Sequence, residues 1–159
     1  MAALPRKKEK LQGTPQLEKT VSAQLAKLLH FKAGHIHSEM DRVRYIRNGL
    51  PFQTLEELSL ELGLTQQDLS ETVGLNIRTL ARRKKEKKLD LRESDRIYRL
   101  AWIYALAMVV LENKIFALKW LTTPKIALGG EIPLKLLDTE IGTREVERVL
   151  GCIEYGIYT

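Results

Sequence analysis

A chain of 159 residues, 44% hydrophobic and 29% charged, is long enough for one substantial domain or two small ones around an apolar core. No apolar run reaches the roughly eighteen residues of a membrane span. The basic N-terminus lacks the apolar stretch of a secretory signal, and the single cysteine, Cys152, excludes an internal disulfide, which suits a reducing cytoplasm. The net charge of +6 is local: residues 78–92 carry eight basic side chains against two acidic ones, an excess of six, while the flanking segments balance to within one charge. Such a stripe fits a phosphate-backbone partner. Basic residues also gather at helix C-termini, so the surrounding pattern has to decide.

Residues 1–15 hold Pro5, Gly13 and Pro15 around a charge run and are expected to form a loose arm. Apolar positions 17, 21, 25, 28 and 29 predict an amphipathic helix over residues 17–31, with a linker at Gly34. Ser38 should cap a short helix over 39–47, stopped by Asn48, Gly49 and Pro51. Leu55, Leu58 and Leu62 give one face of the next helix, which Gly63 ends. Thr65 with Asp68 forms a variant capping box for a helix with Leu69 and Val73 inward. Gly74 breaks it, and Asn76 caps a third helix with either Ile77 or Leu80 inward.

Two short helices joined by a tight, glycine-containing turn are the helix-turn-helix pattern. Gly74 supplies tolerance of positive φ, and the small Ser70 allows close approach. A hairpin used only for packing is the alternative; the basic stripe on and beyond the third helix favours DNA. Asn76, Arg78, Thr79 and Arg82 are then expected to face base edges, with Gln66 and Gln67 near a phosphate at the start of the second helix. Lys85, with Lys84, Lys87 and Lys88, should supply attraction to the backbone. Arg83 stands where an apolar residue is usual; its stem packs while its head reaches out, or it contacts DNA.

Ser94 is expected to cap a long helix rich in apolar residues between 100 and 111. A helix over 115–121 ends at Thr122-Thr123-Pro124, a Gly129-Gly130 loop follows, and Pro133 opens a short helix to Asp138. Gly142 breaks again, and Thr143 caps a last helix carrying Val146, Val149, Leu150 and Ile153. With no alternating strand pattern, the chain is expected to be all-α. Its predicted divisions are an arm and short helix over 1–37, a helix-turn-helix domain over 38–92 and a small helical domain over 93–159.

No catalytic constellation assembles. His30, His35, His37 and Cys152 lack zinc-ligand spacing, and Gly129-Gly130 has neither the strand nor the lysine of a phosphate loop. Glu56-Glu57 and the pair Glu145 and Glu147 fit surface charge, and Trp102 and Trp120 fit a core. A binding protein without enzyme activity, cofactor or metal is expected.

From Arg78-Thr79-Leu80-Ala81-Arg82-Arg83 and Ser94-Asp95-Arg96-Ile97 onward the chain resembles the Xre/ParS/MbcA antitoxins. The likeness continues through Trp120-Leu121-Thr122-Thr123-Pro124, Leu128-Gly129-Gly130-Glu131-Ile132-Pro133 and Tyr155-Gly156-Ile157-Tyr158, and covers about residues 40–159. Where many relatives carry Phe-Gly after the long helix, this chain has Leu111-Glu112-Asn113. The resemblance implies a Cro/repressor-like helix-turn-helix domain followed by a helical toxin-binding domain. The implied partner is a RES-domain toxin, which consumes NAD; the antitoxin covers the NAD site and represses its own operon. Toxin contacts are then expected at Gly129, Gly130, Tyr155, Gly156, Ile157, Tyr158 and Thr159. Tyrosine offers a large apolar face with a hydroxyl, and the Thr159 carboxylate a stand-in for a cofactor phosphate. A homodimer or higher oligomer is expected, because one such unit reads few base pairs and the apolar helix is rich for a monomer core. A stand-alone transcriptional regulator, with an oligomerising or sensing C-terminal domain, is the alternative.

Overall fold

The computed structural model describes residues 14–31 and 38–156. Residues 1–13 of the expected loose arm, the linker with His35 and His37, and Ile157, Tyr158 and Thr159 lie outside the described residues, whereas Thr14 and Pro15, expected in the arm, already form the first turn of a helix. The helices are α1 Thr14–Leu28, α2 Glu39–Asn48, α3 Phe52–Leu62, α4 Gln66–Val73, α5 Ile77–Glu86, α6 Leu91–Leu111, α7 Lys114–Thr122 and α8 Glu140–Tyr155. Two short 3-10 helices, Ile126–Leu128 and Pro133–Asp138, join α7 to α8. The described residues form no strand; the protein is all-α.

The helix ends follow from local chemistry. Ser38 and Asp41 close a capping box on α2, and Thr65 and Asp68 close one on α4. Gly63 and Gly74 end α3 and α4 in left-handed geometry, φ 64° and 58°. The start of α6 differs from expectation. Asp90, three residues before Glu93, makes a complete capping box, so the helix begins at Leu91 and Ser94 lies inside it. The Ser94 hydroxyl, fully buried, accepts from the Leu50 amide at 2.8 Å instead. At α8 the cap is Thr139, whose hydroxyl accepts from Gly142 N at 3.1 Å, so Gly142 sits in the first turn and does not break the helix. A Cβ there would collide with the Leu136 carbonyl. Thr143 is buried, donating its hydroxyl to the Thr139 carbonyl at 2.8 Å.

The core is organised around α6. Eleven of its 21 residues are buried, and it packs against α1, α2, α7 and α8. Ala101, Ala105 and Ala107 let neighbours approach closely, while Ile97, Leu100 and Ile103 fill the spaces between them. Each such aliphatic side chain contributes on the order of 1.5–3 kcal/mol on burial. Between residues 100 and 111, eight side chains are buried and Trp102, Met108, Val109 and Leu111 are half-buried. One continuous cluster runs from Val21 of α1 to Leu150 of α8. Because α6 crosses residue 93 without interruption, the helix-turn-helix and the C-terminal helices share this core.

Candidate nucleic-acid and partner interfaces

The turn between α4 and α5 is Gly74-Leu75-Asn76. Leu75 is buried, its amide donates to the Ser70 carbonyl at 3.0 Å, and the Ser70 hydroxyl donates to the Leu75 carbonyl. The Asn76 side-chain oxygen accepts from the amides of Arg78 at 2.7 Å and Thr79 at 3.4 Å, which fixes the start of α5. Leu80 alone on α5 is buried, Thr79 and Arg83 are half-buried, and the other residues of the helix are exposed. Of the two candidates for the inward position, Leu80 takes it and Ile77 stays 49% exposed.

Arg78 and Lys85 are exposed, Thr79 is half-buried, and the Arg82 side chain is 59% exposed, with Glu86 3.9 Å away. Gln66 and Gln67 are exposed in the first turn of α4, Gln67 donating to Glu71 at 2.9 Å. Lys84 pairs with Glu56 of α3 at 2.8 Å. Of the expected DNA residues, Gln66, Gln67, Arg78, Arg82 and Lys85 are exposed, Thr79 is half-buried, and Asn76, expected at a base edge, has its side-chain oxygen engaged in the α5 cap.

Arg83 does not reach outward. Its guanidinium is engaged by Glu93 at 2.7 Å, Glu86 at 2.6 Å and Asp90 at 2.7 Å, and its side chain is 16% exposed. The Glu93 and Glu86 hydrogen bonds push its pKa further up, so it stays a cation. Glu93 is itself buried, and Asp90 also caps α6, so Arg83 ties the end of α5 to the start of α6. A second tie comes from Arg96, whose guanidinium donates to the carbonyls of Val73 at 3.1 Å and Gly74 at 2.8 Å. A cation there also meets the negative end of the α4 dipole. Sequence reasoning missed Arg96 and Glu93. One signal was available: a basic residue near a helix N-terminus opposes that helix's own dipole, so it calls for an acceptor elsewhere.

In the C-terminal half, residues 125–131 close on themselves. Lys125 N donates to the Glu131 carbonyl at 3.0 Å, and Gly130 N donates back to the Lys125 carbonyl at 2.9 Å. Gly129 and Gly130 turn the chain at φ 67° and 84°. Ile126 on this loop is 98% exposed, and Lys125 lies 5.6 Å from the Trp120 ring centre. Trp102 is half-buried and donates to Glu147 at 3.0 Å. After the long helix, Glu112 takes the left-handed conformation, φ 54°, and Asn113 caps α7. Tyr155 is 45% exposed at the end of α8, and Gly156 ends that helix at φ 69°. Among the described residues no helix is long and apolar enough to cross a membrane, and no group of three or more His, Cys, Asp or Glu could hold a metal ion.

A three-residue glycine turn, a capped second helix exposed along a basic face and a helical C-terminal half define a helix-turn-helix protein with an appended helical domain. Residues 41–101 match the model of the antitoxin Xre-like helix-turn-helix domain, and residues 105–156 match the antitoxin Xre/MbcA/ParS C-terminal toxin-binding domain. An antitoxin Xre of Pseudomonas putida is 39% identical over 112 residues, 70% of this chain and 69% of that protein. An antitoxin Xre of Yersinia enterocolitica is 28% identical over 116 residues, 72% of this chain and 78% of that protein. A Prs ADP-ribosylating antitoxin of a Sphingobium species is 26% identical over 138 residues, covering 80% and 87%. The chain belongs to the Xre antitoxin family.

Proposed function

We propose that this chain neutralises a cognate RES-domain toxin by covering its NAD site and, without catalytic activity of its own, represses its operon by binding operator DNA as a homodimer or larger oligomer. The observation that carries this reading is the presence, on one shared core, of an exposed basic helix in a helix-turn-helix and a match to a toxin-binding domain over residues 105–156. The name of the Sphingobium relative, which joins an antitoxin to ADP-ribosylation, supports a partner whose chemistry uses NAD.

On the DNA side, α5 enters the major groove with Arg78, Thr79 and Arg82 at base edges and Asn76 holding the helix start; Gln66 and Gln67 meet the backbone, and Lys85, Lys87 and Lys88 attract it. Arg83 has no part in this, being held by three carboxylates. On the toxin side, the Gly129-Gly130 loop and the terminal segment from Tyr155 through Gly156, Ile157, Tyr158 and Thr159 form the contact. One α5 spans too few base pairs for useful selectivity, which supports paired half-sites.

Co-expression with a RES-domain toxin encoded beside this chain's gene should yield a co-purifying complex that no longer consumes NAD. Deleting residues 155–159 should restore NAD consumption and leave operator binding intact. A truncated chain that still protects would remove the tail from the toxin site, and failure of any toxin to co-purify would overturn the antitoxin reading.

A further inference from the structure

One side chain of α5 is at odds with a purely basic reading surface. Ile77 is the first residue of the helix, follows the Asn76 cap directly, and is 49% exposed. The core does not claim it, because Leu80 makes that contact. Ala81, one turn further on, is exposed as well, and the two line one groove with Leu60, Leu64 and Gln66, a groove that also carries Glu57 and the Glu56–Lys84 pair. Residues four apart share a helix face. An apolar strip therefore runs along a helix otherwise exposed through Arg78, Arg82 and Lys85.

Two occupants suit an apolar strip: another protein surface or the apolar feature of a base edge. Charge separates them. Arg78, Arg82 and Lys85 stand on the adjoining face of the same helix, so a second copy laid across α5 would bring like charges together, which is unfavourable. A duplex brings phosphates to those same cations. In the major groove the one apolar group that a base presents is the C5 methyl of thymine. The N-terminal residues of a recognition helix are the ones that reach base edges, and Ile77 is the first of them.

Resting on the DNA-binding reading above, we propose that Ile77, with Ala81 one turn on, reads thymine methyl groups, so that operator half-sites carry thymine opposite the start of α5. Arg78 and Arg82 beside it would then read purine edges or hold phosphates, while the apolar strip selects against cytosine and purines at its own position.

The full chain is first used to select its preferred duplex from a randomised library. Each thymine of that duplex is then replaced by deoxyuridine, which removes the methyl and nothing else. One or two thymines in each half-site should lose affinity roughly three- to fivefold, the value of burying one methyl group. Ile77→Ala should lose about the same factor on the thymine duplex, become indifferent to uracil at that position, and keep the wild-type salt dependence. Ile77→Gln, with helical content checked by circular dichroism, provides a second variant that cannot pack on a methyl. A tightly bound duplex without a uracil-sensitive thymine overturns the inference alone. So does a sensitive thymine whose uracil cost is unchanged in Ile77→Ala, or a variant that shifts the mass in light scattering instead. A wild-type chain that enriches no duplex overturns the DNA-binding reading and the inference with it.

Discussion

The two consecutive helices α5 and α6 are held in opposite ways. Of the ten residues of α5 only Leu80 is buried, whereas α6 buries eleven of 21. The shorter helix is fixed at its ends, by the Asn76 cap at the start and the Arg83 cluster at the finish. The longer one is fixed along its flanks by apolar packing. A helix that must present a face to a partner cannot use that face for stability, so polar anchors at its termini take over. The same contrast falls between two neighbouring arginines: Arg82 lies open to solvent, while Arg83 is locked onto three carboxylates.

The largest effect is expected in α6. Replacing the fully buried Ile103 by Ala should lower the unfolding free energy by about 4 kcal/mol in urea titrations, with little change in slope. A loss below about 1 kcal/mol would mean that α6 is not the centre of the core. Next comes Arg83→Ala, which strands the buried Glu93 carboxylate and should cost about 3 kcal/mol, whereas Arg82→Ala should stay within about 0.5 kcal/mol. Equal costs for the two would erase the division between the anchoring arginine and the solvent-open one. Asn76→Ala removes the only side-chain cap on α5 and should cost about 1 kcal/mol, with a matching rise in amide exchange for Arg78 and Thr79.

Smaller effects sharpen the picture at the helix ends and in the core. Burial works against ionisation of Asp90, but the Glu93 amide and the Arg83 guanidinium outweigh it and hold its carboxyl below the usual range. The Thr65 hydroxyl and amide do the same for Asp68. A carboxyl lowered by folding stabilises the protein at pH values above its unfolded pKa, near 4, and that stability is lost as pH falls through the lowered value. Thermal midpoints should therefore hold steady from about pH 7 to 5 as far as these groups are concerned, and drop below about pH 4. Asp90→Asn should shallow that acid limb; an unchanged limb would show that Asp90 is not among the groups responsible. The least change is expected for Tyr104→Phe. The Tyr104 hydroxyl is fully buried without a hydrogen-bond partner among the described residues, and burial pushes its pKa up to about 12. Removing it should leave stability unchanged or raise it by up to about 1 kcal/mol, and a loss would reveal a partner for the hydroxyl.

Much of the molecule was legible from the sequence because its signals are local. A serine or threonine three residues before an acidic one closes a ring within a single turn, so Ser38-Asp41 and Thr65-Asp68 mark helix starts wherever the chain goes. Gly63 and Gly74 mark helix ends because a left-handed residue is cheapest without a Cβ. Leu55, Leu58 and Leu62, then Leu69 and Val73, announce buried faces by their spacing, and the basic stripe announces the exposed one. Where two local signals competed, the choice was harder. Ser94 and Thr143 each looked like a cap, but the Asp90-Glu93 box and Thr139 lay one turn earlier and won.

The all-α class, the helix-turn-helix spacing and the placement of charge were thus determined by the sequence alone, since each depends on residues within a turn or two of one another. Tertiary structure decided what depends on which surfaces meet. Arg83 met Glu86, Asp90 and Glu93 across a helix junction and became an anchor. Arg96 found the carbonyls of Val73 and Gly74, more than twenty residues back in the chain. The apolar wealth of α6 was absorbed by α1, α2, α7 and α8, and Ile77 was left outside because Leu80 had already filled the single opening that α5 offers to the core. Periodicity can say that a side chain is apolar and on which face of its helix it lies. Only the arrival of the neighbouring helices says whether that face is covered.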